Sequence, residues 1–290
     1  MPCLHLQSIS NSTDSRILFL EFGPGNAPNV VDALSASGLA GVKNAPILLS
    51  HPTSLQKDTI EAIEGMDAVH AYIVGGEGAI SSDVESGIQA LGLSTSRIRE
   101  EGGDRFSTAG EVAKDVLDLN GSKTVIVAGG TALVDSLVAG PVAYQFGYPI
   151  LLVGRSVPEA TERILIEYGI EDVIIIGGSG VVSDSVEQRL TSIVNGTVTR
   201  VAGANRFETS LAIANQFFSD HRKAILVNGV SFVDAVPAST LGAPILYTRE
   251  NRLLEGVEAL LFGKETFSVV GGPGVLSDEV LYYAYQAVFQ

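Results

Sequence analysis

Apolar residues along this chain come in short unbroken runs, separated by longer stretches in which they recur every three or four positions. Thr124-Val125-Ile126-Val127, Pro149 to Val153 and Val173 to Ile176 are such runs. A short run rich in β-branched residues predicts a strand buried on both faces. Asp104 to Leu119, Leu133 to Phe146, Pro158 to Tyr168 and Asp184 to Ile193 carry helical spacing, with Thr108, Val112, Val116 and Leu119 marking one face of the first. Pro158 falls where a missing N–H costs nothing, and Gly169 stops the helix. Val198 to Val201 adds a fourth strand. Strands alternating with helices pair in parallel through right-handed crossovers, which predicts a Rossmann-like α/β unit.

The same order occurs three times. Arg16 to Glu21, Pro46 to Leu49 and Arg97-Ile98-Arg99 are strands of the first copy, with helices at Val30 to Leu39, Leu55 to Glu64 and Asp83 to Leu91. The third copy runs through Thr209 to Phe218, Ala224 to Val227, Val233 to Leu241, Pro244 to Tyr247, Leu253 to Phe262 and Glu279 to Phe289. The repeat divides the chain into modules at 1–101, 102–202 and 203–290, each a normal domain size. The first lacks a leading helix and the third a closing strand, as in a ring of three cut open at one junction. No Pro-, Ser- or Gly-rich linker separates them, so they are expected to pack together.

Three signatures recur with the modules. Gly75-Gly76-Glu77-Gly78, Gly177-Gly178-Ser179-Gly180 and Gly271-Gly272-Pro273-Gly274 each follow a strand. Glycine there permits a positive φ; Ser82, Ser183 or Ser277 is placed to cap the next helix, and the turn's N–H groups suit either that structural duty or an anion. Asp32, Asp135 and Asp234 each open a helix after the module's first strand. A carboxylate in a first turn is stabilising by itself, and it also lies at the strand ends where open α/β sheets bind ligands. Gly103-Asp104-Arg105-Phe106 and Ala204-Asn205-Arg206-Phe207 mark the two junctions. Asp104 and Asn205 are placed as caps, and the phenylalanines as core anchors. Arg105 and Arg206 have no evident local duty, and a guanidinium fork fits a carboxylate or a phosphate. They are expected to face inter-module grooves, either bridged to Asp135 or Asp234 or in contact with ligand.

Composition narrows the chemistry. The net charge of −15, from 33 acidic and 18 basic residues, argues against nucleic acid as a general partner. The single cysteine, Cys3, rules out an internal disulfide, and the four histidines lack ligand spacing, so no metal or other cofactor is expected. Met1 to Asp14 has no basic segment leading into an apolar core, so no signal peptide is read there. No apolar run reaches the length of a membrane span. No acid pair, nucleophile elbow or Ser-His-Asp set repeats, and Gly-Gly-x-Gly lacks the third glycine of a dinucleotide fingerprint. A binding or structural protein is expected rather than an enzyme.

With these signatures in order, the chain resembles the type 2 cell-wall-binding repeat family. Gly203 to Thr209, Phe232-Val233-Asp234-Ala235 and Ile176-Gly177-Gly178 with Ser183 carry the likeness most closely. The first module departs from the pattern by lacking the Asp-Arg-Phe segment, and Val30 and Leu133 replace the phenylalanine before the recurrent aspartate. The resemblance implies three Rossmann-like or Toprim-like modules packed as a pseudo-threefold intramolecular trimer. It also implies non-covalent attachment at the cell surface to an anionic secondary wall polymer. Arg105, Arg206, Asp104, Asn205, Asp32, Asp135 and Asp234 are the candidate ligand residues. Gly75, Gly76, Gly177, Gly178, Gly271 and Gly272 are the candidate anion turns. Two other readings stay open: a self-assembling scaffold whose open junction pairs with another chain as a homo-oligomer, and a small-molecule or nucleotide-binding enzyme using the glycine turns.

Overall fold

The strands form three separate parallel sheets of one topology. In the computed structural model, which describes residues 15–21, 30–100, 103–131, 133–230 and 232–289, the first sheet has the order β2-β1-β3-β4. Its strands are β1 (Ser15–Glu21), β2 (Ile47–Ser50), β3 (Ala68–Val74) and β4 (Ser94–Ile98). The second repeats it as β6-β5-β7-β8, from β5 (Thr124–Gly129), β6 (Ile150–Val153), β7 (Asp172–Ile176) and β8 (Val198–Val201). The third is β10-β9-β11, from β9 (Lys223–Asn228), β10 (Ile245–Thr248) and β11 (Thr266–Val270), and among the described residues no fourth strand pairs with β11. Met1 to Asp14, where no signal peptide was read, lies outside the described residues.

Alternation within the apolar runs explains why they are unbroken. In β5, Ile126 and Ala128 enter a large core shared by all three modules, while Val125 and Val127 enter a smaller core of their own module. In β9, Ile225 and Val227 turn to the shared core, and Ala224 and Leu226 to a satellite core. A strand sandwiched this way has no polar face to show, and each buried Ile, Leu or Val contributes roughly 1.5–3 kcal/mol relative to exposure.

The shared core is closed by the aspartate-led helical segments. The first is one continuous helix, α1 (Val30–Lys43). The other modules depart from the single helices expected over Leu133 to Phe146 and Val233 to Leu241. The former splits into α5 (Leu133–Ser136), a 3-10 turn Leu137–Ala139 and α6 (Gly140–Phe146); the latter into a 3-10 turn Phe232–Asp234, α10 (Ala235–Ala238) and a second 3-10 turn Ser239–Leu241. Pro141 and Pro237 lack the N–H a continuous helix would use, and α1 carries no proline.

These segments touch with almost no side chain between them. A Cβ at Gly41 of α1 would stand 2.0 Å from the Tyr144 carbonyl oxygen of α6, and one at Gly38 would stand 2.4 Å from that of Tyr148. A Cβ at Gly140 would meet Ser239 Cβ at 2.6 Å and Ser37 Oγ at 3.2 Å. Ser37, Gly140 and Ser239 share the same offset from Asp32, Asp135 and Asp234, so corresponding positions of all three modules meet there. Ser37 and Ser239 share a buried hydroxyl hydrogen bond of 3.3 Å.

The remaining helices cover the outer sheet faces. They are α2 (Lys57–Glu64) and α3 (Ser82–Ala90), then α7 (Glu159–Glu167) and α8 (Asp184–Ile193), then α11 (Glu255–Leu261) and α12 (Asp278–Phe289). Two others, α4 (Arg105–Asn120) and α9 (Arg206–Phe217), lead the second and third modules.

Candidate functional site: the module junctions

Each junction begins at a glycine turn. Gly75, Gly177 and Gly271 hold φ of 106°, 106° and 132°, a region that disfavours side chains. The turns partly satisfy themselves: Ala79 and Ile80 donate to the Gly76 carbonyl, as Val181 and Val182 do to Gly178 and Val275 and Leu276 to Gly272. In the first module the cap of the following helix is Ser81, which accepts from Val84 N at 3.3 Å, rather than the expected Ser82, which is already helical. Ser183 plays the same part in the second module.

Asp104 and Asn205 take up their capping positions. Asp104 Oδ1 accepts from Phe106 N at 2.9 Å and Ser107 N at 3.1 Å; Asn205 Oδ1 accepts from Phe207 N at 3.0 Å and Glu208 N at 3.1 Å. Phe106 and Phe207 pack against the shared core, lying over Gly130 and Gly229, where a Cβ would approach their rings to 2.8 and 2.7 Å.

The expectation that Arg105 and Arg206 lack a local duty is corrected. Arg105 Nη1 donates to the Gly130 carbonyl at 3.0 Å, and Arg206 Nη1 to that of Gly229 at 3.1 Å. Each arginine therefore ties its helix to the end of its own module's first strand. Arg206 does more: its Nε lies 3.9 Å from Asp135 Oδ1, bridging the second and third modules. Burial pushes the Asp135 carboxyl above its usual range, with Arg206 opposing the shift. Arg105 forms no ion pair among the described residues.

The recurrent aspartates are not used alike. A Cβ at Gly75 would stand 3.0 Å from Asp32 Oδ2 and one at Gly271 would stand 3.3 Å from Asp234 Oδ2, so these carboxylates rest on their own glycine turns. Over Gly177 the neighbour is Val181, and Asp135 meets Arg206 of the third module.

Two features escaped the sequence reading. One is a repeated clamp. Arg97 donates to the Gly75 carbonyl at 3.0 Å and to Glu85 Oε2 at 2.7 Å; Arg200 does the same with Gly177 at 2.8 Å and Glu187 at 2.7 Å. Burial raises the Glu85 carboxyl, but hydrogen bonds from Arg97 and Thr95 outweigh it and leave it below the usual value. The paired recurrence of Arg97 and Arg200 with Glu85 and Glu187 was the available signal; in the third module Leu281 stands in the glutamate's place. The other is Arg99, half-buried beside the first turn, where a Cβ at Gly76 would lie 3.8 Å from its Cδ and Nη1. Ala202 holds that place in the second module. Arg99, too, forms no ion pair among the described residues.

The junctions thus differ in charge. The first carries Arg99 and Arg105 with Asp32 on its glycine turn, the second Arg206 bridged to Asp135, and Asp234 lies half-buried in the third module with no ion pair among the described residues. No group of three or more described His, Cys, Asp or Glu side chains is placed to hold a metal ion. No described helix is long and apolar enough to cross a membrane.

The family model for cell wall binding domain 2 (CWB2) matches this chain at residues 8–85, 99–187 and 200–281. The chain belongs to the CWB2 family. Its fold is also that of solved chains: Cwp6 from Clostridium difficile aligns over 96% of this chain and 44% of its own, with a TM-score of 0.84 and 25% identity. Cwp8 from the same organism aligns over 94% of this chain and 47% of its own, with a TM-score of 0.80 and 30% identity. Among curated proteins, the N-acetylmuramoyl-L-alanine amidase LytC of Bacillus subtilis is 30% identical over 86% of this chain and 50% of its own length. The amidase enhancer of that organism is 30% identical over 86% of this chain and 34% of its own. The chain therefore spans half or less of these relatives.

Proposed function

We propose that this CWB2 chain is a non-enzymatic module that attaches at the cell surface to an anionic wall glycopolymer, and that the polymer is held at the first junction. The observation that carries this reading is the pair of guanidinium groups there, Arg99 beside the Gly75-Gly76 turn and Arg105 on the Gly130 carbonyl, neither in an ion pair among the described residues. In a chain of net charge −15, an anionic polymer approaches only where positive charge is concentrated within about a Debye length, roughly 8–10 Å. Arginine suits phosphate or carboxylate groups through paired N–H donors. At the second junction the charge of Arg206 is met by Asp135, so that junction has less to offer an anion. Ser37, Gly140 and Ser239 meeting at one point supports a pseudo-threefold trimer of modules 1–101, 102–202 and 203–290.

The test is co-sedimentation with purified walls of the source organism at low and high salt. Arg99→Gln with Arg105→Gln should abolish the salt-sensitive binding of the folded protein, whereas Arg206→Gln should leave most of it. Equal losses from both variants would move the site off the first junction. No binding by the unaltered protein would end the wall-binding reading.

A further inference from the structure

Asparagine is followed by glycine three times in the chain, at Asn120-Gly121, Asn195-Gly196 and Asn228-Gly229. The pair matters because glycine has no Cβ to obstruct attack of its main-chain nitrogen on the preceding side-chain carbonyl carbon. Two of the three are held against that attack. Gly121 N donates to the Leu117 carbonyl at 2.8 Å, while Asn120 Nδ2 donates to the Gly147 carbonyl and its Oδ1 accepts from Ser122 N. Gly229 N donates to the Thr248 carbonyl at 2.9 Å, and Asn228 is buried, its Nδ2 donating to the Val275 carbonyl and its Oδ1 accepting from Val230 N. Asn195 differs on each count. It lies exposed in the loop between α8 and β8, and neither its side chain nor Gly196 N makes a hydrogen bond among the described residues. Both residues line an open hollow of about 360 Å³ together with Glu171 and Ile193, so water reaches them.

We propose that Asn195 is a self-modification site, at which the Asn195-Gly196 linkage rearranges with water to aspartate and isoaspartate. Gly196 N loses its proton and bonds to Asn195 Cγ; the Cγ–Nδ2 bond breaks, and the side-chain nitrogen leaves as ammonia with that proton. The product is a five-membered succinimide. Water then opens either of its two carbonyls, giving aspartate from one and isoaspartate from the other, each with one new negative charge. The balance closes with one water consumed and one ammonia released, and no oxidant or reductant takes part. The isoaspartyl product lengthens the main chain by one methylene just before Thr197. Thr197 N and Oγ1 both donate to Asp172 Oδ1, and its carbonyl accepts from Val173 N at 2.8 Å, which seats the start of β8 against β7. There is no slack to absorb the added atom, because even a Cβ at Gly196 would stand 2.5 Å from the Glu171 carbonyl oxygen. The modification therefore loosens the start of β8, the strand that brings Arg200 to the Gly177 carbonyl.

Peptide mass spectrometry of the full chain, held folded at mildly alkaline pH and sampled over several weeks, tests the proposal. Asn195 should convert at least tenfold faster than Asn120 or Asn228 and should yield both aspartate and isoaspartate. The same incubation in guanidinium chloride should bring the three rates within about threefold of one another, since the dipeptide is the same at each. Asn120 or Asn228 converting as fast as Asn195 in the folded chain overturns the proposal. So does a tenfold spread that persists in denaturant, which would place its cause in the flanking residues rather than the fold. Conversion to aspartate alone overturns the succinimide route. Asn195→Gln, whose longer side chain closes the corresponding ring far more slowly, should stay unmodified at that position and serves as the unaged reference. Against it, hydrogen exchange at the Val173 amide should be at least threefold faster in the aged chain, and equal exchange overturns the loosening of β8.

Discussion

Replacing Gly41 with alanine puts a methyl group 2.0 Å from the Tyr144 carbonyl oxygen, 2.7 Å from its carbonyl carbon and 2.8 Å from its Cα. All three are backbone atoms, so no side chain can swing aside. Ordinary contact begins at 3.4 Å, so α1 and α6 must separate by about 1.4 Å, loosening the apolar contacts around them. Overpacking of this kind costs about 1–3 kcal/mol, and a rigid neighbour places it at the upper end. Alanine returns about 1 kcal/mol of helix propensity, so the net loss is about 2 kcal/mol. Gly110, also helical and buried, is the control. There the nearest atom to an added Cβ is Ala160 Cβ at 3.7 Å, an ordinary contact, and Gly110→Ala should gain up to about 1 kcal/mol. Urea unfolding followed by circular dichroism reads both, the two variants differing by about 3 kcal/mol. A Gly41→Ala protein as stable as the original would refute the close packing of the first and second modules.

Three further outcomes follow from the site geometry. A double-mutant cycle on Asp135→Asn and Arg206→Met should show a coupling of no more than about 1 kcal/mol that fades with salt, because both side chains keep contact with water. Asp234→Asn should stabilise the protein at neutral pH: a raised carboxyl favours folding when protonated and loses that contribution as pH rises through its folded pKa. The gap between Asp234→Asn and the original, read from urea midpoints, should therefore close as the solution is acidified toward the unfolded aspartate value of about 3.9. Glu85 should behave oppositely. Its lowered carboxyl contributes stability above the unfolded glutamate value of about 4.3, lost as pH falls through the folded value, and Glu85→Gln should flatten that acid limb.

What was legible in the sequence was what repeats. The unbroken apolar runs around Val125 to Val127 and Ile225 to Val227 gave away strands buried on two faces, and the glycine turns gave the module order. The capping of α4 and α9 by Asp104 and Asn205 could be read because N-cap chemistry is local. The duty of Arg105 and Arg206 could not, since their acceptors, the Gly130 and Gly229 carbonyls, lie at a strand end that only the fold brings near. Pro141 and Pro237 were visible, but their breaking of helices was outweighed by the helical spacing around them. Arg99 was passed over for a different reason. A search for recurrence ignores a residue present in one module and replaced by Ala202 in the next, yet such departures are what set the junctions apart in charge.

Hydrogen exchange of the chain with and without purified wall polymer tests the central claim most directly. Slowed exchange is expected at Gly76 to Ile80 and Arg99 to Phe106, with little change at Gly178 to Val182. Equal protection of the first two glycine turns, or protection confined to the outer helices α2, α7 and α11, would contradict a polymer site at the first junction.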